Sequence, residues 1–316
     1  MREVPVSVHR VLILGARRRN QGLGEFIAKY FHEQKAVICG IVGTSRDSVE
    51  GTCLYLKAQY GFSTRGFTDL AQAIEESRPT VVVIASPNQY HFEHLRVVAQ
   101  NNLSCLCEKP LFWKDEDPFD PGEVETLVNR FCRNGKLLQL VTQWPCTLDD
   151  FYSVYPGANN EPLKRFSMLL APMSTGKQMV VDAMPHVLSM VHVLTGIGSV
   201  KHVTQKIEAG ERFKIIFDYI HAGGRLEVHV TLVRSPKSPR PAGYALNGNL
   251  VWRTIRMKDY QMFFSVNSGS RVRVSDPLKK LVGRFLVDLE SGQPTDKERL
   301  IASMTDLNTI VENLKL

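Results

Sequence analysis

Between residues 9 and 142, short apolar runs alternate with helix-like stretches, and this alternation limits the chain more than any other feature. Residues 9–15 read as a strand, 22–34 as a helix, 36–43 as a strand, 47–60 as a helix, 68–77 as a helix and 80–86 as a strand. Residues 90–102 then read as a helix, 103–107 as a short strand, 121–134 as a helix and 137–142 as a strand. The runs Val11-Leu12-Ile13-Leu14 and Val81-Val82-Val83-Ile84 are apolar throughout. Strands of that kind, separated by helices, belong to a buried parallel sheet.

Four motifs sit at the ends of these elements. The first strand runs into Gly15, Gly22 and Gly24. The strand at 80–86 runs into Ser86-Pro87-Asn88-Gln89-Tyr90-His91, and the short strand after it into Glu108-Lys109-Pro110. Further on, Asp182-Ala183-Met184-Pro185-His186 places two proton-handling side chains on one helical face. A lone Glu-Lys-Pro carries little information, because exposed Lys-Pro turns are common; its place beyond a buried strand is what counts. In this order the four motifs resemble the Gfo/Idh/MocA family of nicotinamide-dependent oxidoreductases.

The resemblance implies an α/β plus α+β protein. Residues 1–145 would form a Rossmann dinucleotide-binding domain. Residues 146–316 would form a domain built on a large, mostly antiparallel sheet that supplies the substrate site and the contacts of a homo-oligomer. It implies further that Lys109 points toward the nicotinamide ribose and the reacting carbon, and that Pro110 shapes the turn. Ser86, Pro87, Asn88, His91 and Glu108 would lie along the cofactor, and the last helix would pack back on the Rossmann domain. Read from the residues alone, Asn88 could instead only cap the helix that follows.

Gly15-Ala-Arg17-Arg-Arg-Asn-Gln-Gly22-Leu-Gly24 departs from the compact G-x-G-x-x-G spacing. The mechanism still applies: glycines after a strand let the backbone approach a pyrophosphate, and the next helix offers free N–H groups to it. The extra residues, Arg17 among them, make the lip basic. The second strand ends in Val42-Gly43-Thr44-Ser45-Arg46. Thr44 and Ser45 offer hydroxyls and Arg46 a guanidinium fork that suits a 2′-phosphate, which favours NADP(H) over NAD(H). Asp47 argues the other way, but it falls where a helix cap is wanted.

Pro145 and Tyr155-Pro156-Gly157 mark the crossing into the second domain, where 164–171, 200–208, 212–221, 225–234, 250–257 and 262–267 read as strands of an antiparallel sheet. Helices at 277–290 and 296–314 close the chain. Asp182 and His186 are expected in the first turn of a helix, the one place where Pro185 is tolerated. For an arbitrary D-x-x-x-H, a capping Asp182 and a packed core His186 would win; the family context favours catalysis. Gln143 and Trp144 are candidate substrate residues, since a tryptophan face suits a sugar ring. His192, His221 and His229 are assigned to packing or surface.

Composition excludes several other readings. The net charge of +7 could mark a nucleic-acid surface, but no basic run interleaved with aromatics accompanies it. No apolar run approaches the roughly 18–20 residues that span a bilayer, so a cytoplasmic protein is expected. Six cysteines without a CxxC pair argue against disulfides and zinc, and no metal site is expected. The function expected is reversible hydride transfer to or from a sugar-like C=O/C–OH carbon or a C=N carbon of a small-molecule substrate. His186 and Lys109 would move the proton, and Asp182 would orient His186 or bind a hydroxyl. A specialised imine or bilin-type reductase, and a non-catalytic dinucleotide-binding regulator, are the alternatives.

Overall fold

The computed structural model describes residues 8–17, 23–113, 120–208, 212–256, 258, 261–266 and 269–315. The chain divides into two compact units, Met1–Val141 with Leu281–Lys297, and Thr142–Lys280 with Glu298–Leu316.

The first unit runs β1 (Arg10–Leu14), α1 (Gly24–Glu33), β2 (Val37–Val42), α2 (Arg46–Tyr60), β3 (Gly66–Phe67), α3 (Leu70–Ser77), β4 (Val81–Ile84), α4 (His91–Gln100), β5 (Ser104–Glu108), α5 (Pro121–Arg133) and β6 (Leu138–Val141). Its six strands are parallel, in the order β3-β2-β1-β4-β5-β6. The unbroken apolar runs explain this: Val11, Leu12 and Ile13 of β1 and all four residues of β4 are fully buried. Strand order reverses between β1 and β4, so the loops leaving these two strands diverge and open a crevice at their carboxyl ends. The two-residue β3 escapes a periodicity reading because it is too short to show a period.

In the second unit come α6 (Leu148–Val154), β7 (Arg165–Leu170), α7 (Gly176–Thr195), β8 (Gly198–Glu208), β9 (Arg212–His221), β10 (Gly224–Val233), β11 (Ala242–Leu246), β12 (Asn249–Arg256), β13 (Gln261–Ser265) and β14 (Arg271–Val274). They form an eight-stranded sheet, β14-β13-β12-β11-β7-β10-β9-β8, antiparallel except where β7 and β10 pair parallel. Along β10, buried Leu226, Val228, Val230 and Leu232 alternate with part-exposed Glu227, His229, Thr231 and Val233, and α7 packs against β7 and β10. β11 was not expected: Ala242-Gly243-Tyr244-Ala245-Leu246 is buried at every position and therefore shows no alternation.

The chain closes with α8 (Pro277–Glu290) and α9 (Lys297–Glu312). Most of α8 belongs to the first unit, where Phe285 meets Phe31 edge to face at 6.1 Å. Thr295 follows it there, accepting the Leu138 N–H at 2.8 Å and donating to Lys136 O at 2.7 Å. The penultimate helix is thus part of the Rossmann unit, while α9 from Glu298 onward is grouped with the second unit. There Asp306, 3% exposed, meets Nε2 of the fully buried His192 at 2.9 Å and accepts the Val200 N–H at 3.3 Å. No described helix is long and apolar enough to cross a membrane.

Candidate active site

In the first unit, Gly15 follows β1 with φ +81°, a left-handed backbone that costs an L side chain about 1–2 kcal/mol. Its N–H donates to Val42 O at 3.1 Å, and a Cβ built on it would lie 2.6 Å from Ala85 O at the end of β4. Gly24 opens α1, and a Cβ there would collide with Gly15 O. The two glycines thus let three backbone segments close up at the crevice. Among the described residues no side chain caps α1, and the N–H groups of such a first turn suit an anion. The one acid in that turn, Glu25, is 3% exposed and engaged, its Oε1 accepting from the hydroxyls of Tyr60 at 2.6 Å and Tyr55 at 3.0 Å. Gly22 lies outside the described residues.

At the end of β2, Thr44, Ser45, Arg46 and Asp47 are exposed. The helix cap is Ser45, whose Oγ accepts the Ser48 N–H at 3.4 Å, and not Asp47, which lies within the first turn of α2. Arg17 reaches this corner from the glycine loop, Nη1 donating to Ser48 Oγ at 3.3 Å. Two guanidinium groups therefore belong to one corner of the unit, where the sequence pointed to Arg46 for the 2′-phosphate and gave Arg17 to the glycine-loop lip.

The turns after β4 and β5 are joined by His91. Its ring is 1% exposed, with Nε2 2.7 Å from Ser86 O and Nδ1 3.0 Å from Pro110 O. Burial holds its pKa below the usual histidine range, against the opposing pull of the carbonyls, so the ring is neutral and carries one N–H. The shorter contact assigns that proton to Nε2, donating to Ser86 O, while Cys107 Sγ lies 3.7 Å from Nδ1. A ring this buried ties Ser86 to the start of α4 and packs its other edge against the turn after β5. Ser86 is held again by its Oγ, 3.1 Å from His94 Nδ1. Asn88 begins a 3₁₀ turn, Asn88–Tyr90, for which no side chain provides a cap.

Beyond β5, the Lys109–Pro110 peptide is cis. Glu108 Oε1 is buried without a hydrogen-bond partner among the described residues. Burial raises the Glu108 pKa, opposed by the Lys109 ammonium and backbone N–H. An orphaned acceptor beside a lysine, at the end of a strand paired with β4, fits a ligand rich in hydroxyls, as the riboses of a dinucleotide are.

In the second unit, Asp182 and His186 lie one turn apart near the middle of α7, not at its start. Thr175 precedes the helix, and Met179, Val180 and Val181 already bury an apolar face ahead of Asp182. Pro185 therefore sits inside the helix, where its missing N–H leaves the Val181 carbonyl without its helical donor. Asp182 does not cap; Ser174 Oγ donates to its Oδ2 at 2.5 Å and Gln178 Nε2 to its Oδ1 at 2.7 Å. Both carboxylate oxygens are thus fixed, one turn before a half-buried imidazole. The sequence carried no signal for Ser174 or Gln178 as its holders.

Trp144 is 4% exposed, edge-on to Tyr244 with centroids 6.0 Å apart, and Arg253 lies over its ring at 5.4 Å. Gln143, half-buried, precedes the 3₁₀ turn Trp144–Thr147, which packs on α7. His192 is core, as expected, while His229 pairs with Glu227 at 2.9 Å on the sheet.

Residues 9–141 match the family model for the Gfo/Idh/MocA oxidoreductases, described as an oxidoreductase family with an NAD-binding Rossmann fold. No curated protein matches the chain. Among solved structures, the fold is similar to that of a UDP-N-acetylglucosamine 3-dehydrogenase from Acidithiobacillus ferrooxidans, at 15% identity over 98% of each chain and a TM-score of 0.71. A dehydrogenase from Thermus thermophilus in complex with NAD and UDP-GlcNAcA shares 14% identity over 98% of this chain and 96% of that one, with a TM-score of 0.68. A biliverdin reductase from Synechocystis sp. PCC 6803, in complex with biliverdin and NADP+, shares 14% over 96% of this chain and 98% of that one, with a TM-score of 0.63. Residues 9–141, with their parallel sheet, glycine turn and Glu108-Lys109-Pro110, are thus similar to the NAD-binding Rossmann domain of the Gfo/Idh/MocA oxidoreductases.

Proposed function

We propose that this protein is an NADP(H)-dependent oxidoreductase acting on a sugar-like alcohol or carbonyl, with Lys109, Asp182 and His186 as its working groups. The observation that carries the catalytic part is the doubly held Asp182 carboxylate one helical turn before His186. A fixed carboxylate can orient an imidazole or take a substrate hydroxyl, and a histidine can exchange a proton near neutral pH.

The first unit would hold the dinucleotide. Gly15, Gly24 and the first turn of α1 would take its pyrophosphate, and Thr44, Ser45, Arg46 and Arg17 its 2′-phosphate. The Ser86-Pro87-Asn88 turn and Glu108 would take the nicotinamide half. When bound, that cofactor accepts or donates a hydride at C4 of its ring. In the direction of alcohol oxidation His186 would take the hydroxyl proton and in reduction return it, while Lys109 would steady the negative charge on oxygen in both directions. A C=N acceptor such as a bilin is the second reading, supported by the shared fold of the biliverdin reductase.

We further infer that copies associate through the face of the second sheet that carries exposed Ile216, Ile220 and Trp252, and that the protein works in the cytoplasm, in keeping with its six free cysteines.

The test is NADPH oxidation against sugar ketones, cyclic imines and tetrapyrroles, followed by Lys109→Met and His186→Asn on the best substrate. Each variant should lower turnover by roughly 10²–10⁴-fold with NADPH affinity intact, the range for a displaced acid or base. Wild-type rates in both variants would refute the assignment. A His186→Asn protein that only melts earlier, with normal turnover in its folded fraction, would make His186 a core residue.

A further inference from the structure

We propose that the substrate carries an acidic group, a carboxylate or a phosphate, which the second unit receives on a basic strap at residues 234–241. The proposal deepens the reading of Asp182 and His186 as substrate-handling groups and rests on it.

Because β7 and β10 pair parallel through Leu170 and Leu232, both leave the sheet at the same end. From β7 the chain continues through residues 171–175 into α7. From β10 it continues as Arg234-Ser-Pro-Lys237-Ser-Pro-Arg240-Pro241 into β11. This strap holds three cations, three prolines and no acid. Its prolines restrict the backbone, so fewer conformations are lost when the cations are engaged.

Two ties place the strap relative to Asp182. At its start, Ser235 N–H donates to Pro172 O at 2.9 Å, and Ser174, two residues further on, donates to Asp182. The chain between them spans only on the order of 10 Å. At its end, Arg253 Nη2 donates to Arg240 O at 2.8 Å while its guanidinium lies over Trp144, and the turn that Trp144 opens packs on α7. Contacts therefore run from Asp182 through the strap and back to the helix that bears it. Arg234 and Lys237 are exposed and Arg240 is half-buried. Arginine forks beside a hydroxyl-handling pair suit a sugar bearing a carboxylate or phosphate better than a neutral polyol.

The test uses the full chain saturated with NADPH, which fills the anion cradle of the first unit. Calorimetric titrations with inorganic pyrophosphate, uridine diphosphate, glucuronate and neutral glucose are compared for wild type and the Arg234→Gln/Lys237→Gln double variant. At least one acidic probe should bind wild type, and the double variant should bind it about tenfold or more weakly, as expected for losing charge-assisted bonds. Its melting temperature and NADPH affinity should stay unchanged. The phosphate and glucuronate arms tell which acid is preferred. Acidic probes that bind no better than glucose, or equally well to the double variant, overturn the proposal. Failure to bind NADPH at all would instead sink the oxidoreductase reading beneath it.

Discussion

Replacing His91 by leucine should damage both stability and cofactor binding, although the ring touches no solvent. The neutral ring donates to Ser86 O at 2.7 Å, and leucine, similar in bulk, leaves that carbonyl buried without its donor. An orphaned buried acceptor costs about 1–3 kcal/mol. In a unit of this size that corresponds to a fall in melting temperature of roughly 3–10 °C. Because Ser86 and Pro110 belong to the turns after β4 and β5, NADPH affinity should fall with stability. Denaturant unfolding at several pH values, beside NADPH titration, measures both effects. Burial is the main influence on the His91 pKa and lowers it, so the folded ring stays neutral at pH values where the unfolded chain has taken up a proton. Wild-type stability owed to His91 is therefore complete above about pH 6.5 and is lost as pH falls from there through the folded pKa. The gap between wild type and His91→Leu should narrow on acidification. Equal stabilities at pH 7.5, or a gap that widens with acid, would refute the argument. His94, whose pKa burial also lowers, remains in both proteins and cancels.

Three further outcomes are expected. Gly15→Ala should cost about 1–3 kcal/mol more than Gly61→Ala, because both backbones are left-handed but only a Cβ on Gly15 meets a backbone carbonyl, while Gly61 has nothing within 4 Å; equal losses in unfolding experiments would show that the crevice yields. Arg46→Ala should weaken NADPH by about 10–100-fold and leave NADH unchanged, and equal wild-type affinities for the two cofactors would end the NADP(H) assignment. Exhaustive chelation should leave turnover intact, since no group of three or more potential metal ligands occurs among the described residues; a loss restored by zinc would overturn the reading of Asp182 and His186.

The sequence alone settled what depends on neighbours along the chain. Apolar runs four residues long, ended by glycine or a Ser-Pro turn and separated by helical patterns, have few destinations other than a parallel sheet, so β1, β4 and the turns after β1, β4 and β5 could be located by reading. The Asp182–His186 spacing likewise fixed two side chains on one face, whatever the helix boundaries proved to be. Tertiary structure decided which polar side chains meet. His91 reads as a loop histidine until two carbonyls from different turns close on its ring. Trp144 reads as a sugar platform until Tyr244 and Arg253, about a hundred residues away, cover it. Ser45 displaced Asp47 as the cap because the backbone entered the helix two residues before the cap that the charge pattern suggested. The parallel pairing of β7 with β10, which brings the basic strap to the end of the sheet where α7 begins, joins segments some sixty residues apart. Strand alternation records which face of a strand is buried, but it carries no information about its partner, and partner choice set the composition of the candidate site.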